Sequence, residues 1–181
     1  CVIDEKQYSI NEKCILVDDV LTTLQNLATY HRKQFTIPFI AITGSNGKTT
    51  TKELMLAVLS SQFKTYATEG NLNNHIGVPL TILKIKKDAE MAIIEMGANH
   101  QKEIEFYCKI ALPTHGLINN YGKAHLEGFG GIEGVKKGKG ELYDYINKRQ
   151  GVIFRNTDLD YLKIMSMGIQ KQITYGEYEG D

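Results

Sequence analysis

Cysteine and proline are scarce in this chain, neither sign of charge predominates, and long apolar runs are missing; each scarcity removes a class of protein. Among 181 residues there are three cysteines, Cys1, Cys14 and Cys108. Their odd number and wide spacing match neither a disulfide framework nor a zinc pattern, which points to a reducing compartment. No stretch approaches the roughly 18 apolar residues of a membrane span, and the opening CVIDEKQYS lacks a signal-peptide apolar region. Membrane insertion is therefore not expected, and a cytoplasmic location is. Lysine and arginine total 21, as do aspartate and glutamate, so the formal net charge is zero. Without a block of like charge, nucleic acid is not an expected partner, and any anion must be held by local geometry. Three prolines, no internal repeat and no low-complexity tract leave periodicity to organise the chain.

What is present suffices for a folded unit. At about 150 residues per domain, the length predicts one core plus a short extra segment. A chain of this size buries about 70% of its unfolded surface and needs no staple. The sequence opens without Met and stops at EYEGD just after an apparent strand, so a piece of a larger protein is expected.

Residues 18–33 read as an amphipathic helix with Val17, Leu21, Leu24, Leu27, Ala28 and His31 near one face and Asp18 or Asp19 as its cap. The run 38–43, PFIAIT, is β-prone and broken by Gly44. Residues 48–60 then carry helical spacing through Leu54, Ala57 and Val58. Further strands are predicted at 64–67, 91–95, 117–119, 152–154 and 172–175, and helices at 78–83, 102–110, 132–146 and 159–165. Short apolar strands alternating with helices predict an α/β, doubly wound, mainly parallel sheet with helices on both faces. In such sheets ligands bind beyond the carboxyl ends of the strands.

The strongest chemical signal is Gly44-Ser45-Asn46-Gly47-Lys48-Thr49-Thr50, lying between a predicted strand and a predicted helix. Glycines let backbone N–H groups turn onto phosphate oxygens, and the helix that follows presents free N–H groups at its positive end. Lys48 would reach terminal phosphates and the Thr49 hydroxyl would ligate Mg²⁺. The general phosphate-loop pattern puts its first glycine at position 42, which is Ile42 here; the form present is the shorter G-x-x-G-K-T. The competing reading is a Gly-rich turn that merely caps a helix.

Three further groups are candidates. Glu95 ends the strand 91–95, where a carboxylate faces bound nucleotide and can hold Mg²⁺; the alternative is a solvated strand terminus. Asn71, Asn73 and Asn74 follow the second strand of the series; amides donate to phosphates, yet Asn-Gly-Pro clusters are also ordinary loop chemistry. His125, in AHLEGFG, follows the strand at 117–119. By spacing alone it reads as structural, since Mg²⁺ prefers oxygen. Lys136, Lys137 and Lys139 read as a solvated basic face.

Together, TGSNGKTTTKE, GNLNNHIGVPL, IIEMGANHQKEI, AHLEGFGGIEGV and KGKGELY closely resemble the Mur ligase family over residues 17–181. The resemblance implies that residues 1–33 are the tail of an amino-terminal substrate domain with a connecting helix. Residues 34–181 would then be most of a central ATP-binding domain. It implies an ATP-dependent ligase that forms an acyl phosphate and passes it to an amine, giving ADP and phosphate. GANH and HLEGFG favour the member that uses D-alanyl-D-alanine and a nucleotide-sugar peptide as substrates, ahead of other Mur ligases or a folylpolyglutamate synthase. A non-ligating ATP switch is the alternative of another class. By the same resemblance, Gly44 to Thr50 and Asn74 bind ATP, and Thr49, Glu95 and His125 hold Mg²⁺. Lys48, Glu95, His125 and Lys139 are then catalytic. Lys139 matches a lysine carbamylated in relatives, with Lys136 and Lys137 as sources of the repulsion that favours a neutral amine. Flanking domains of the same parent chain would complete the site, and the isolated chain is expected to be inactive.

Overall fold

The computed structural model describes residues 1–122, 126–177 and 180. A small parallel pair, β1 (Val2–Ile3) and β2 (Ile15–Leu16), precedes helix α1 (Val20–Arg32). The main run is then β3 (Phe39–Thr43), α2 (Lys48–Leu59), β4 (Thr65–Ala67), α3 (Gly77–Leu83), β5 (Met91–Glu95), α4 (Glu103–Ala111) and β6 (His115–Ile118). After it come α5 (Leu126–Phe129), α6 (Ile132–Lys148), β7 (Val152–Asn156), α7 (Asp160–Met165) and β8 (Gln172–Tyr175). The six strands of the main sheet lie in the order β4-β5-β3-β6-β7-β8, and every pairing is parallel. The α/β, doubly wound architecture read from the alternation of elements is therefore the one present.

The strand order explains how the two faces are covered. After β4 every crossover advances in one direction across the sheet, from β4 to β5, over β3 to β6, and on to β7 and β8. Right-handed crossovers in one direction put their helices on one face. Among the described residues only the step from β3 back to β4 runs the other way, and it places α2 on the opposite face. The core divides accordingly. Phe39, Ala41, Ala92, Ile94, Ile118 and Ile153 pack with α1, α3, α4, α6 and α7, whereas Ile40, Ile42, Ile93 and Leu117 pack against Met55, Leu56 and Leu59 of α2. Adjacent strand residues alternate between these clusters, as the two-residue side-chain period requires. All five residues of β3 are buried because it is central and covered on both faces.

The inward face of α2 differs from the one its spacing predicts. Leu54 and Val58 are exposed, and Ala57 shares their side. A helix apolar on two faces does not reveal which one the sheet takes.

Helix α1 is capped by Asp19, which accepts from Thr22 N at 2.6 Å, and packs on α3 and α4. At its end the buried Arg32 guanidinium donates to the carbonyls of Ala111, Phe35 and Leu112 and lies 3.6 Å from the centre of the Phe39 ring. Burial brings its pKa down to about 10. Leu27 is exposed, so the apolar stripe of this helix is narrower than its spacing implies. Among the described residues no helix is long and apolar enough to cross a membrane.

Candidate functional site

Strand β3 ends at Thr43, and the chain turns through Gly44 and Gly47 into α2. Gly47 adopts φ 76°, and a Cβ on Gly44 would sit 3.0 Å from Asn119 Cβ. Both glycines are therefore required, one by backbone conformation and the other by the closeness of β6's carboxyl end. That end clasps the loop. Asn120 accepts from Ser45 N through its carbonyl and from Asn46 N through its side-chain oxygen, and its amide returns a bond to Asn46 O. Ser45 Oγ accepts from Gly122 N, and Asn119 Nδ2 donates to Thr51 Oγ1. The amides of the first turn of α2 have no acceptor inside the helix, which leaves them free for an anion at its positive end.

Lys48 folds back over the loop. Its Nζ donates to Gly44 O at 2.8 Å and Ser45 O at 3.4 Å. Burial pulls its pKa below the usual lysine range, and the nearby Glu95 carboxylate opposes that shift. Thr49 and Thr50 are exposed on the first turn.

Glu95 lies at the carboxyl end of β5, beside β3 in the sheet. Strand alternation puts it on the same face as Ile93, toward α2, and it is only 1% exposed. Its Oε1 accepts from Thr49 Oγ1 at 3.2 Å and from Asn73 Nδ2 at 2.8 Å. Its backbone N–H donates to Thr68 Oγ1. Its other oxygen, Oε2, is buried with no hydrogen-bond partner among the described residues. An unpartnered buried carboxylate oxygen is costly unless a cation or water takes it up.

Spacing did not separate the clustered asparagines; the structure does. Asn74 Oδ1 accepts from Ile76 N and Gly77 N, which commits it to the start of α3. Its neighbour Asn73 is the one that reaches Glu95. Lys52 also went unremarked in the sequence. It is fully buried, donates to Thr68 O at 2.6 Å and pairs with Glu53 at 2.7 Å. Asn120, likewise, reveals its part only through its contacts.

Lys139 departs from the solvated basic face that spacing predicts. It is 2% exposed in the middle of α6, donates to Ala98 O at 3.3 Å and lies 5.3 Å from the centre of the Phe129 ring. Burial lowers its pKa to about 8; the charge of Lys48 is the next contributor, and Glu103 and Glu141 oppose it. The repulsion expected from Lys136 and Lys137 therefore comes from Lys48, which the fold brings near.

Lys48, Thr49, Glu95 and Lys139 thus share the carboxyl end of the sheet. His125 lies outside the described residues. Among the described residues no group of three or more His, Cys, Asp or Glu side chains forms a metal cluster. Beside the loop a cleft of about 500 Å³ opens along the ends of β6, β7 and β8, lined by Thr51, Asn119, Asn120, Asn156 and Tyr175 among others.

Comparison with known proteins gives concordant results. Residues 42–181 match the family model described as the Mur ligase middle domain. The chain is 40% identical over 177 residues to the UDP-N-acetylmuramoyl-tripeptide--D-alanyl-D-alanine ligase of Haemophilus influenzae, covering 96% of this chain and 38% of that protein. With the Escherichia coli ligase of the same name it shares 42% identity over 144 residues, which is 80% of this chain and 32% of that protein. Among solved structures, the MurF ligase of Thermotoga maritima in complex with ADP superimposes with a TM-score of 0.88 at 31% identity, over 99% of this chain and 42% of that one. The chain thus spans roughly a third to two fifths of the length of the relatives it matches.

Proposed function

Because the chain belongs to the Mur ligase family, we propose that it supplies the ATP-handling part of a ligase that joins D-alanyl-D-alanine to UDP-N-acetylmuramoyl-tripeptide, giving ADP and phosphate. The reading rests above all on one observation: Glu95, buried beside the phosphate loop, keeps Oε1 on Thr49 and Asn73 while Oε2 has no partner among the described residues. The ADP bound to the Thermotoga relative supports the nucleotide part of the reading.

The residues present fit a hard divalent cation. Glu95 Oε2 and the Thr49 hydroxyl are oxygen donors, and Mg²⁺ takes few protein ligands and keeps several waters. His125 is the further ligand that the family resemblance implies. Magnesium, when bound, would supply positive charge that offsets the repulsion of the attacking carboxylate by the terminal phosphate.

The chain's own groups do the rest. Lys48 exchanges its loop carbonyls for phosphate oxygens and neutralises charge as the acyl phosphate forms. The first-turn amides of α2 hold the phosphates in line, and the Asn120 clasp keeps the loop from opening. Asn73 and Thr49 orient Glu95, so no side-chain torsion need be fixed at the moment of reaction. In this reading a carbamate on Lys139 becomes an anionic oxygen ligand. Carbamylation needs the neutral amine, which the lowered pKa favours. In this reading the acceptor peptide and the incoming dipeptide are held by flanking domains of a cytoplasmic parent protein.

The test uses the full-length protein. Phosphate release should require both the nucleotide-sugar tripeptide and D-alanyl-D-alanine; turnover with nucleotide alone would favour a switch and overturn the ligase reading. The present chain by itself should yield little or no ligated product.

A further inference from the structure

Cys1 and Cys14 are far from the nucleotide loop in sequence and belong to the small β1–β2 pair. We propose that they form a reversible thiol–disulfide pair, a modification site for low-molecular-weight disulfides of the glutathione class. Their Sγ atoms lie 3.3 Å apart, and both cysteines are free. The register that pairs Val2 with Ile15 and Ile3 with Leu16 puts Cys1 opposite Cys14 when extended by one residue. The backbone holds that register: the Cys1 nitrogen donates to Lys13 O at 2.8 Å and Ile15 N donates to Cys1 O at 2.9 Å, so the two bonds bracket Cys14. The turn leading into Cys14 is fixed as well, by Lys13 N donating to Asn11 Oδ1 and Cys14 N donating to Asn11 O.

Two directly opposed cysteines need only a small side-chain movement to reach the bonded S–S separation of about 2.05 Å. Cys1 is exposed and Cys14 partly so, which admits an oxidant. Cys108 offers the contrast: fully buried against Met96, with burial pushing its thiol far up, it has neither access nor thiolate.

The chemistry balances with the oxidant named. The thiolate of one cysteine attacks a sulfur of oxidised glutathione and expels one glutathione thiolate, leaving a mixed disulfide. The second cysteine's thiolate attacks the protein sulfur of that bond and expels the other glutathione. Two protein thiols are oxidised to one disulfide, one glutathione disulfide is reduced to two thiols, and the two thiol protons pass to the departing thiolates. Because the partner is already in contact, the second step is intramolecular and outruns a second glutathione addition.

The experiment treats the purified chain with excess oxidised glutathione, blocks remaining thiols by alkylation and reads intact mass and tryptic peptides. The expected product is lighter than the reduced protein by two hydrogens, before counting the alkyl group on Cys108. Its digest should contain residues 1–6 linked to residues 14–32, and dithiothreitol should reverse the change. Cys14→Ser and Cys1→Ser should each carry a single glutathione on the remaining partner instead. Wild-type protein that carries glutathione on both Cys1 and Cys14, or alkyl groups on both, with no linked peptide, would overturn the proposal.

Discussion

The side-chain amide of Asn73 lies 2.8 Å from Glu95 Oε1 and shares that oxygen with the Thr49 hydroxyl. Such an outer contact orients a metal-binding carboxylate, and its removal typically costs 10–100-fold in metal affinity. Asn73→Ala in the full-length protein should therefore raise the Mg²⁺ concentration for half-activation by roughly 10-fold. Asn74→Ala should instead lower stability by about 1 kcal/mol through loss of a helix-start acceptor and leave the Mg²⁺ curve in place. Metal-activation curves and urea midpoints distinguish the two, and identical Mg²⁺ curves for Asn73→Ala and wild type would make Asn73 structural only.

Lys48 donates to two carbonyls of the loop. Lys48→Met keeps most of its bulk and removes its charge. Turnover by the full-length protein should fall at least ~100-fold, since neutralising charge that develops on phosphate is the main contribution asked of this residue. A variant within a few-fold of wild type in steady-state phosphate release would remove Lys48 from the mechanism.

The lowered pKa of Lys139 has two consequences with one sign. With a pKa of about 8, roughly a tenth of the amine is neutral at pH 7, about 300 times the fraction of a solvent-exposed lysine. At fixed dissolved CO₂, the initial rate at which a carbamate signal appears from ¹³C-labelled bicarbonate should grow from pH 7 to pH 8 and then level off, and Lys139→Ala should lack the signal. Between about pH 8 and the ordinary lysine range near 10.5 the unfolded chain binds the proton that the folded chain has released. The contribution of Lys139 to folding stability should therefore rise with pH across that window, against the opposite slope set by the buried Cys108 thiol. Urea unfolding at several pH values should show wild type gaining stability relative to Lys139→Met across the window.

Lys52 is fully buried with its ammonium on Thr68 O, while its partner Glu53 is 56% exposed. Lys52→Met strands the carbonyl of Thr68, whose hydroxyl fixes Glu95's backbone. It should cost about 1–3 kcal/mol. Glu53→Ala removes a solvent-screened partner and should cost less than about 1 kcal/mol. Chemical denaturation of the present chain compares the two, and equal losses would refute the distinction.

What the sequence determined by itself is whatever depends on neighbours along the chain. Alternation of short apolar runs with helical spacing dictates a parallel sheet, because strands covered on both faces must be apolar throughout. The glycines before Lys48 dictate a strand–turn–helix phosphate loop, because only glycine makes that turn so close to another strand. The tertiary structure decided what depends on which segments meet. Crossover handedness put α2 on the face opposite the other described helices of the main sheet and turned Met55, Leu56 and Leu59 inward in preference to Leu54, Ala57 and Val58. It also chose Asn73 over Asn74 for Glu95, and set Lys48 near a buried Lys139 where Lys136 and Lys137 had seemed the natural neighbours. Finally it brought Cys1 against Cys14, whose spacing matches no disulfide pattern, because a side chain's partners across a fold are set by sheet register and strand order, and neither has a local period to read.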